Sequence, residues 1–563
     1  MTSSTLEFYP KDFPYVVGID FGTTFSGCSC VFADDDIDEM FDITEWSRRG
    51  GSIYPKVPTA SFYEQDTKTL VAWGYEAIRK ANLPNSKGSL ITKFKLLLDT
   101  SIQTSQNLPN GLTTLQVIAD YLRAFYKHVH EQFQTKLGAV YDNSKFRYCL
   151  TVPAIWDDRA KATMREAAII AGIVSRSDHP DRLMLTSEPE AAALYCEKKS
   201  NQFNLSHEQR FMICDAGGGT VDLIVFEIED SSGVKSLREV TKGSGGSCGS
   251  TFLDKNMQKL IEKRFGSHAK NNKAAIQYLM DHFVTTTKPE FENEDDEYFT
   301  VPAVLNLRGG KMSDIGVDDG RLCISVDELR EDVFEPVVKQ VLNLISGQIN
   351  QSQKQIDAIF LVGGFGQSRY LGKRVQDTFK DKVGNICVPS RGEISVMRGA
   401  VMFGVDPAKV SHRILRRTYG SKVNKPFDSL LDPPEKKYTA ADGEIRCKDH
   451  FYIYATKGEC VAMNQCVSKE LFIYYPNNFN PDLYAYDIDE KSPRFVTDPG
   501  VRKVTDFHGK TPVLQGIKID EKVYFTQNMY FGKTEILIEV KMKGHTFLYT
   551  SAFDSHELEK AIV

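Results

Sequence analysis

The sequence predicts a mixed α/β protein that ends in a β-rich region, and three observations support this fold class. From residue 15 to about residue 410, apolar runs typical of strands alternate with helical patterns. From residue 411 onward, the helical patterns give way to aromatic and β-branched runs that are separated by turn residues. The chain of 563 residues is also too long for one hydrophobic core, which predicts about three or four domain-sized units.

Composition and charge exclude several classes of protein. The hydrophobic fraction of 41% and the charged fraction of 26% are typical of globular domains. A net charge of −6 provides no general basic surface, so nucleic acid is not an expected partner. There is no run of about 18 apolar residues and no secretory leader pattern, so neither a membrane span nor export is expected. The 11 cysteines form no CxxC pair, which favours the reducing cytoplasm, with the nucleus left open.

Helical patterns mark three places in the α/β region. Residues 113–137 carry an apolar stripe at helical spacing. Residues 158–172 form a second helical pattern, with Asp158 as the expected N-cap and Gly172 as the expected stop. Residues 251–290 are predicted to be helical again.

The change of pattern near residue 411 sets the predicted domain boundaries. Residues 1–14 are expected to form an N-terminal tail, residues 15–410 an α/β unit, and residues 411–563 a β-sandwich-like domain. The strands predicted in the last domain include HFYIYA, ELFIYY, KVYFTQ, EILIEVKM and HTFLYTSAF. Only a short charged helical piece, SHELEKAIV, is expected after them.

Two similar stretches suggest a shared cleft. The first, VVGIDFGTTFSGCSCVF at residues 16–32, places an aspartate and a Gly-Thr-Thr sequence between two apolar runs. Taken alone, this stretch is also compatible with an ordinary β-turn. Residues 211–226, FMICDAGGGTVDLIVF, repeat the order of strand, aspartate, glycine-rich turn, threonine and strand. The repetition predicts two similar lobes, each of which presents one hairpin to a common cleft.

The residue types in these hairpins match the chemistry of phosphate binding. Glycine lets backbone amides approach phosphate oxygens and tolerates positive φ in a tight turn, and threonine hydroxyls add donors. Mg²⁺ keeps several waters and takes few carboxylates, so Asp20 and Asp215 at the strand ends predict a magnesium site. Two such loops facing each other would hold a nucleoside triphosphate. A third glycine element, IFLVGGFGQSRYL at residues 359–371, either supports a nucleoside or forms an ordinary strand-to-helix turn.

These motifs, with two further segments, resemble a known family. GIDFGTTFS, TVPAIWDDRAKATMREAAIIAG, LTSEPEAAALY, CDAGGGTVDL and IFLVGGFGQSRYL follow the order found in the heat-shock 70-kDa chaperones, which have an actin-like ATPase fold. The pair VPAIWDD and SEPEAAALY is more specific to these chaperones than to actin or sugar kinases. EISVMRGAVMFGVDP, TYGSKVNKPFD and DPGVRK resemble the divergent 12-type branch of the family. The resemblance covers residues 15–410 closely and residues 411–563 diffusely.

The resemblance implies two duplicated ribonuclease-H-like lobes and assigns roles to individual residues. Asp20 and Asp215 correspond to the carboxylates that order the water shell of Mg²⁺. Glu188 corresponds to the carboxylate near the attacking water, with Asp222 beside it. The residues expected to contact phosphate are Gly22, Thr23, Thr24, Gly217, Gly218, Gly219 and Thr220. The residues expected to contact the nucleoside are Gly363, Gly364, Phe365 and Gln367.

A lysine is also expected near the γ-phosphate, because phosphoryl transfer depends on positioning and electrostatic stabilisation. In the segment LITKFKLLLD the family pattern fits Lys95 best, while Lys93 stays an alternative. An ordinary helical lysine and an exposed helix start remain alternatives for Lys95 and Glu188. Pro153 resembles the proline through which the family relays its nucleotide state to the next domain.

The sequence departs from the family pattern at two places. The helix expected to grip adenine reads YLMDHFVTTTKPEF, with threonines at 285–287 where basic residues are usual. Gln367 stands near the position of an arginine, and Arg369 is displaced by two residues. The acidic and apolar linker after the nucleotide domain is missing, and no long helical lid pattern follows the β-rich region. Weaker adenine binding and faster peptide release from a lidless groove are therefore expected.

The resemblance implies an ATP-binding molecular switch with slow, Mg²⁺-dependent ATP hydrolysis, with ATP/ADP and Mg²⁺ as ligands. Its β-rich domain would bind peptide or protein clients, and a co-chaperone or exchange factor is a further expected partner. The aromatic strands would serve either a peptide-binding edge or the sandwich core. Two other functions stay open. One is a nucleotide-binding scaffold or sensor with little hydrolysis, which is favoured by the altered adenine contacts and the missing linker. The other is a small-molecule kinase, which EPEAAALY argues against.

Overall fold

The fold is known from a computed structural model. It describes residues 10–47, 54–99, 108–198, 205–231, 233–266, 268–269, 272–305, 315–488, 492–505 and 509–550. Most of the predicted N-terminal tail and the charged piece SHELEKAIV lie outside the described residues. The cysteines are free thiols. None of the described helices combines the length and the apolar character needed to cross a lipid bilayer.

Strands occur along the whole described chain. The first group consists of β1 (Tyr15–Phe21), β2 (Phe25–Phe32), β3 (Phe41–Asp42), β4 (Lys56–Pro58), β5 (Ala60–Glu64), β6 (Leu70–Trp73), β7 (Gly88–Thr92), β8 (Phe146–Val152) and β9 (Leu183–Ser187). The second consists of β10 (Arg210–Ala216), β11 (Val221–Ser231), β12 (Val234–Glu239), β13 (Ser244–Gly246), β14 (Glu297–Thr300), β15 (Val317–Asp318), β16 (Arg321–Ile324), β17 (Ile356–Val362), β18 (Val383–Cys387) and β19 (Val410–Ile414). The third consists of β20 (Thr418–Pro426), β21 (Lys437–Thr439), β22 (Ile445–Ala455), β23 (Cys460–Ala462), β24 (Cys466–Tyr474), β25 (Leu483–Tyr486), β26 (Val501–Thr505), β27 (Lys522–Tyr530), β28 (Leu537–Met542) and β29 (His545–Thr550).

The longer helices all precede residue 406. They are α1 (Gly74–Ala81), α2 (Thr114–Leu137), α3 (Asp158–Ala171), α4 (Glu188–Lys198), α5 (Thr251–Phe265), α6 (Lys273–His282), α7 (Glu335–Ser352), α8 (Arg369–Phe379) and α9 (Ser395–Val405). The helices predicted at 113–137, 158–172 and over most of 251–290 are therefore confirmed.

Two sheets with a similar arrangement hold the glycine hairpins. In the first sheet, β1 is antiparallel to β2 and parallel to β8, in the order β3-β2-β1-β8-β9. In the second sheet, β10 is antiparallel to β11 and parallel to β17, in the order β18-β17-β10-β11-β12-β19-β23. The hairpins β1–β2 and β10–β11, which share a sequence pattern, therefore occupy equivalent positions.

Helices α4 and α9 lie between these two sheets. Their apolar side chains share a buried cluster with Cys149 of β8 and with Phe211 of β10. Helices α2 and α3 form another buried cluster with Val17 and Ile19 of β1. Helices α5 to α8 pack against the second sheet in a third cluster. The strands that lead to the glycine turns are thus buried on both faces, which fixes the positions of the turns.

The start of α3 corrects one expectation. The N-cap predicted at Asp158 is wrong, because Asp157 accepts the hydrogen bond from the amide of Ala160 at 2.9 Å. Asp158 is instead the first helical residue and is buried against the hydroxyl of Tyr419. Two adjacent aspartates satisfy the same capping pattern, so local sequence does not distinguish them. The predicted stop is confirmed, since Gly172 ends the helix with a φ of 85°.

Apart from β23, the strands after residue 417 form two further sheets. Their strand orders are β21-β22-β20-β25-β26 and β24-β27-β28-β29. One buried cluster contains side chains of both sheets, including Tyr419, Leu483, Val523 and Ile538. The five aromatic and β-branched runs predicted as strands are confirmed in β22, β24, β27, β28 and β29, except that residues 551–553 of the last run lie outside the described residues.

Strand β19 lies in the second sheet and not in the two C-terminal sheets. It runs parallel to β12, with Val410 opposite Leu237, and antiparallel to β23, with Arg413 opposite Val461. The segment in which the sequence lacks the family linker is therefore a hydrogen-bonded strand between the α/β part and the C-terminal part.

Candidate active site

The turns of the two glycine hairpins face each other across a cleft of about 430 Å³. A Cβ added at Gly218 would lie 2.5 Å from Oγ1 of Thr24, and one added at Gly219 would lie 2.5 Å from Oγ1 of Thr23. No real side chain fits at that distance, so glycine is required for the two turns to approach each other. The predicted common cleft between the hairpins is present.

The glycine turns do not use the tolerance of glycine for left-handed conformations. Gly22 and residues 217–219 have no positive φ. The glycines of these turns are needed only for the close approach of neighbouring atoms. Gly363 in the third glycine element does have a positive φ of 78°, and a Cβ there would lie 2.5 Å from Oδ1 of Asp215.

The structure brings together nearly all residues that the sequence predicts for the site. Those that line the cleft are Asp20, Gly22, Thr23, Thr24, Lys95, Glu188, Asp215, Gly217, Gly218, Gly219, Thr220, Gly363, Gly364, Phe365 and Gln367. Phe365 is only 3% exposed and belongs mainly to the core of the second sheet. Asp222 does not line the cleft. It is buried, and its Oδ1 accepts a hydrogen bond from the amide of Ile155 at 3.1 Å.

Lys56 is a site residue that sequence reasoning missed. Its Nζ lies 2.6 Å from Oδ2 of Asp20, and both side chains are buried. Burial by itself lowers the pKa of Lys56, but Asp20, together with Tyr54 and Asp215, outweighs it, so the pKa is raised above its ordinary value. The contact depends on the pairing of β4 with β2, which places Lys56 opposite Gly27. No residue spacing in the sequence predicts that β4 pairs with β2.

Lys95 and Glu188 form a buried ion pair in the cleft. Burial raises the pKa of Glu188 to about 7, although Lys95 opposes the shift. Lys93, the alternative lysine, has a left-handed φ of 58° and lies near Asp254 and Lys288 instead. The structure thus places Lys95, and not Lys93, beside Glu188. Interpreting Glu188 as an exposed helix start is wrong, since this residue is 7% exposed.

Negative charge exceeds positive charge at the base of the cleft. The buried carboxylates are Asp20, Glu188, Asp215 and Asp222. Only two ammonium groups of described residues are bonded to them, those of Lys56 and Lys95. Burial and then the neighbouring carboxylates raise the pKa of Asp215 well above its usual range. Burial also raises the pKa of Asp222, against the hydrogen bonds that it accepts.

The excess of carboxyl groups over ammonium groups bears on whether the site suits a metal ion. Four carboxyl groups close to only two ammonium groups are costly to keep ionised in a buried place, and the pKa values of Glu188, Asp215 and Asp222 are raised accordingly. A cation bound among them would offset this cost. Asp215 accepts no hydrogen bond from any described residue, so its oxygens are available as ligands. Mg²⁺ prefers such hard oxygen ligands and needs few of them. The residues therefore fit Mg²⁺, and Asp20 and Asp215 are the carboxylates that would hold it.

The wall opposite the hairpins belongs to the segment expected to hold adenine. Helix α6 continues through a π-helical turn, Phe283–Thr287, a feature that is frequent at functional sites. Thr285 faces the cleft where a basic residue is usual in the family pattern, but Lys288 also faces it and lies 2.7 Å from Asp254. A basic residue, Lys288, is thus present on this wall, three residues after Thr285.

The third glycine element forms the neighbouring part of the wall. Gln367 lines the cleft, and its buried Nε2 has no hydrogen-bond partner among the described residues. Arg369 does not line the cleft and instead pairs with Glu292 at 2.5 Å on the surface. An amide therefore stands where an arginine was expected, with its Nε2 buried beside Gly392. The other lining residues that sequence reasoning missed include Phe25, Tyr54, Ser250, Asp254, Val284, Lys288 and Val396.

Comparison with known proteins identifies the family. A family model described as "Hsp70 protein" matches residues 94–403, more than half of the chain. The chain belongs to the Hsp70 family. Heat shock 70 kDa protein 12A of Mus musculus is 27% identical, over 93% of this chain and 89% of that protein. Heat shock 70 kDa protein 12B of Homo sapiens is 28% identical, over 87% and 83%. The predicted resemblance to the 12-type branch is confirmed.

More distant members of the Hsp70 family align with a smaller part of the chain. Chaperone protein DnaK of Thermosipho africanus is 26% identical over 65% of this chain and 55% of DnaK. The Hsp70 match at residues 94–403 begins next to Lys95 and contains the second hairpin and the third glycine element. The first hairpin and Lys56 precede it.

Direct contacts connect this Hsp70-family cleft to the C-terminal sheets. The segment that begins at Pro153 carries Ile155, which is bonded to Asp222, and it leads into Asp158. The Asp158 carboxylate accepts a hydrogen bond from the Tyr419 hydroxyl at 3.2 Å, and Arg417 lies 3.3 Å from it.

A second connection begins in the same motif as Glu188. Glu190 forms a buried ion pair with Arg413 of β19. Burial alone would raise the pKa of Glu190, but Arg413 and the amide of Ser187 lower it to about 2. The negative charge of Glu190 is therefore held firmly against β19 at neutral pH.

Proposed function

We propose that this protein is an Mg-ATP-dependent molecular switch that hydrolyses ATP slowly and couples its nucleotide state to the C-terminal β-rich part. The observation that carries the proposal is the contact of two glycine turns across one cleft whose base has more carboxyl groups than ammonium groups. Membership of the Hsp70 family supports a nucleotide-binding, chaperone-like function.

Each wall of the cleft has a role in this proposal. The turn amides and the hydroxyls of Thr23, Thr24 and Thr220 bind the phosphates. Asp20 and Asp215 hold Mg²⁺, which neutralises phosphate charge when it is bound with ATP. The amide of Gln367 and the wall around Thr285 contact the nucleoside.

The hydrolytic step relies on positioned charges. Lys95 orients the attacking water and faces the γ-phosphate, where its charge is most useful. Glu188 has a pKa of about 7, so it can accept a proton from water near neutral pH. Asp222 keeps the Thr220 turn attached to the segment at Ile155. Because the carboxylate and the lysine are paired in the resting state, turnover is expected to be slow.

The domain organisation proposed here follows the sequence pattern. Residues 15–410 form two duplicated lobes of an actin-like ATPase fold, which close around the nucleotide. Residues 411–563 form a β-sandwich-like domain that binds peptide or protein clients, with a co-chaperone or exchange factor as a further partner. The equivalent positions of the two hairpins and the cluster shared by the two C-terminal sheets support this organisation.

Substitutions in the two hairpins test the proposal. Asp20→Asn and Thr220→Ala are each expected to lower the ATPase rate about tenfold or more, because each removes a group aimed at the phosphates or the metal ion. Asp66→Asn and Thr67→Ala, in the exposed turn after β5, are the matched controls. ATPase rates that are unchanged in both hairpin variants would contradict the assignment.

One observation favours an alternative, a nucleotide sensor or scaffold with little hydrolysis. The ammonium group of Lys56 already occupies one oxygen of Asp20, where it competes with the metal ion for the carboxylate. Titration calorimetry with ATP and ADP, beside a single-turnover assay, separates the two functions. Binding without turnover in the wild type, and turnover gained in Lys56→Met, would support the sensor.

A further inference from the structure

A second cavity, of about 310 Å³, lies where the first sheet meets the C-terminal strands. Its walls come from β8 and β9, from the end of α9 with the turn that follows it, and from residues around Met463 and Lys533–Glu535. Cavities of about 300 Å³ and more are large enough for small organic ligands. This junction cavity shares no lining residue with the nucleotide cleft.

Arg147 of β8 lines the junction cavity and is 5% exposed. Its Nε has no hydrogen-bond partner, and no carboxylate of the described residues forms an ion pair with it. Burial lowers the pKa of Arg147, and no neighbouring charge offsets this effect. An arginine nevertheless stays protonated in proteins. A buried guanidinium without an anion is unfavourable, so the fold leaves a cation ready for one.

Two ion pairs account for four of the other charged residues of the walls, Arg165 with Glu535 at 2.5 Å and Lys533 with Asp181 at 3.2 Å. The Asp406 carboxylate accepts a hydrogen bond from the amide of Ala408 at 3.1 Å. The remainder of the lining is largely apolar and includes Leu183, Leu185, Phe403, Met463 and Leu537. Among the described residues of the walls, Arg147 is therefore the one cation without an anionic partner, and it lies beside an apolar surface.

We propose that the junction cavity binds a small organic anion with one carboxylate head and an aliphatic body. The planar guanidinium of Arg147 matches a carboxylate through two parallel hydrogen bonds. One unmatched guanidinium balances a monoanion better than a doubly charged phosphate. The aliphatic body would lie against Phe403 on one side and Met463 on the other, so the ligand would stabilise the contact between the two parts of the chain.

The test uses octanoate as the probe and octanamide as its uncharged counterpart, on the full chain without nucleotide. Titration calorimetry and thermal unfolding are expected to show binding of octanoate and none of octanamide. Arg147→Met is expected to weaken octanoate binding about tenfold or more, because it removes a charge-assisted hydrogen bond. Without the probe, its melting temperature should stay equal or rise. Arg79→Met, at an exposed arginine paired with Glu76, is the control.

A second variant keeps the experiment decisive if Arg147→Met does not fold. Met463→Trp retains Arg147 but fills the cavity from the C-terminal side, and it is expected to block octanoate. The proposal is overturned if octanoate fails to bind the wild type, or if it binds Arg147→Met as tightly as the wild type. Equal binding of octanamide, or tighter binding of octyl phosphate, would overturn the carboxylate assignment. Because no nucleotide is present, failure of the ATP-dependent function would not affect this result.

Discussion

The carboxylate of Asp222 accepts a hydrogen bond from the backbone amide of Ile155, with 3.1 Å between oxygen and nitrogen. Asp222 follows the second glycine turn, and Ile155 lies between β8 and α3. The first residue of α3, Asp158, in turn accepts a hydrogen bond from Tyr419. A short series of direct contacts therefore leads from the cleft to the C-terminal sheets.

Asp222→Ala is expected to interrupt this series, whereas Asp222→Asn keeps an oxygen that can accept the Ile155 amide. Amide hydrogen exchange with and without ATP is the measurement. In the wild type and in Asp222→Asn, ATP should change exchange in residues 153–171 and in β20. In Asp222→Ala the change in β20 should be lost. An unaltered response of β20 in Asp222→Ala would show that the signal takes another route.

The two candidate lysines are expected to differ in kinetics. Lys95→Met removes the ammonium group that faces Glu188, and we expect single-turnover hydrolysis to fall about a hundredfold. Lys93→Met changes a lysine two residues away that points toward Asp254 and Lys288, so its rate should stay within about threefold of the wild type. Similar losses in both variants would contradict the assignment of Lys95.

Asp215→Asn is expected to separate stability from ligand binding. The substitution removes a buried carboxylate that burial and neighbouring acids disfavour, so the free protein should become more stable by about 1 kcal/mol. The same variant should lose most of the stabilisation that Mg-ATP gives the wild type. Thermal unfolding with and without Mg-ATP measures both effects, with Asp66→Asn as the control. A free variant less stable than the wild type would contradict the charge argument.

The burial of His130 is expected to make the protein less stable in mild acid. Its ring nitrogens lie 2.9 Å from the hydroxyls of Tyr141 and Tyr148, and burial lowers its pKa from 6.5 to about 4. The unfolded chain therefore takes up a proton at a higher pH than the folded chain. Stability is complete above pH 6.5 and falls as the pH drops toward 4, by about 3 kcal/mol at most.

Urea unfolding between pH 7.5 and pH 4.5 measures this dependence. His130→Gln should flatten the part of the slope below pH 6.5, and His545→Gln at an exposed strand end is the control for replacing a histidine. A slope that is the same in wild type and His130→Gln would assign the acid sensitivity to other groups.

Local chemistry explains why much of the site was predictable from the sequence. The two hairpins carry their own strands, acids and glycines within 17 and 16 residues, so no tertiary information is needed to recognise them. The order of the helices and of the C-terminal strands follows from periodicity in the same way. These features depend on residues that are neighbours in the chain.

The features that sequence reasoning missed depend on pairing between distant segments. Lys56 reaches Asp20 only because β4 pairs with β2. Lys95 was preferred over Lys93 from the family pattern alone, because helical spacing does not apply where residues 94–98 form a 3-10 turn that begins after a left-handed residue. Arg147 looks like an ordinary strand residue until the walls around it are known.

Strand β19 has a consequence for any shortened form of this protein. It crosses the boundary predicted between residues 410 and 411, and its removal would uncover the backbone amides and carbonyls of β12. An unpaired strand edge of this kind promotes association between molecules and aggregation. A fragment that stops at residue 410 would therefore expose the unpaired edge of β12. A fragment that retains residues 410–414 but lacks β23 would expose the unpaired edge of β19 instead.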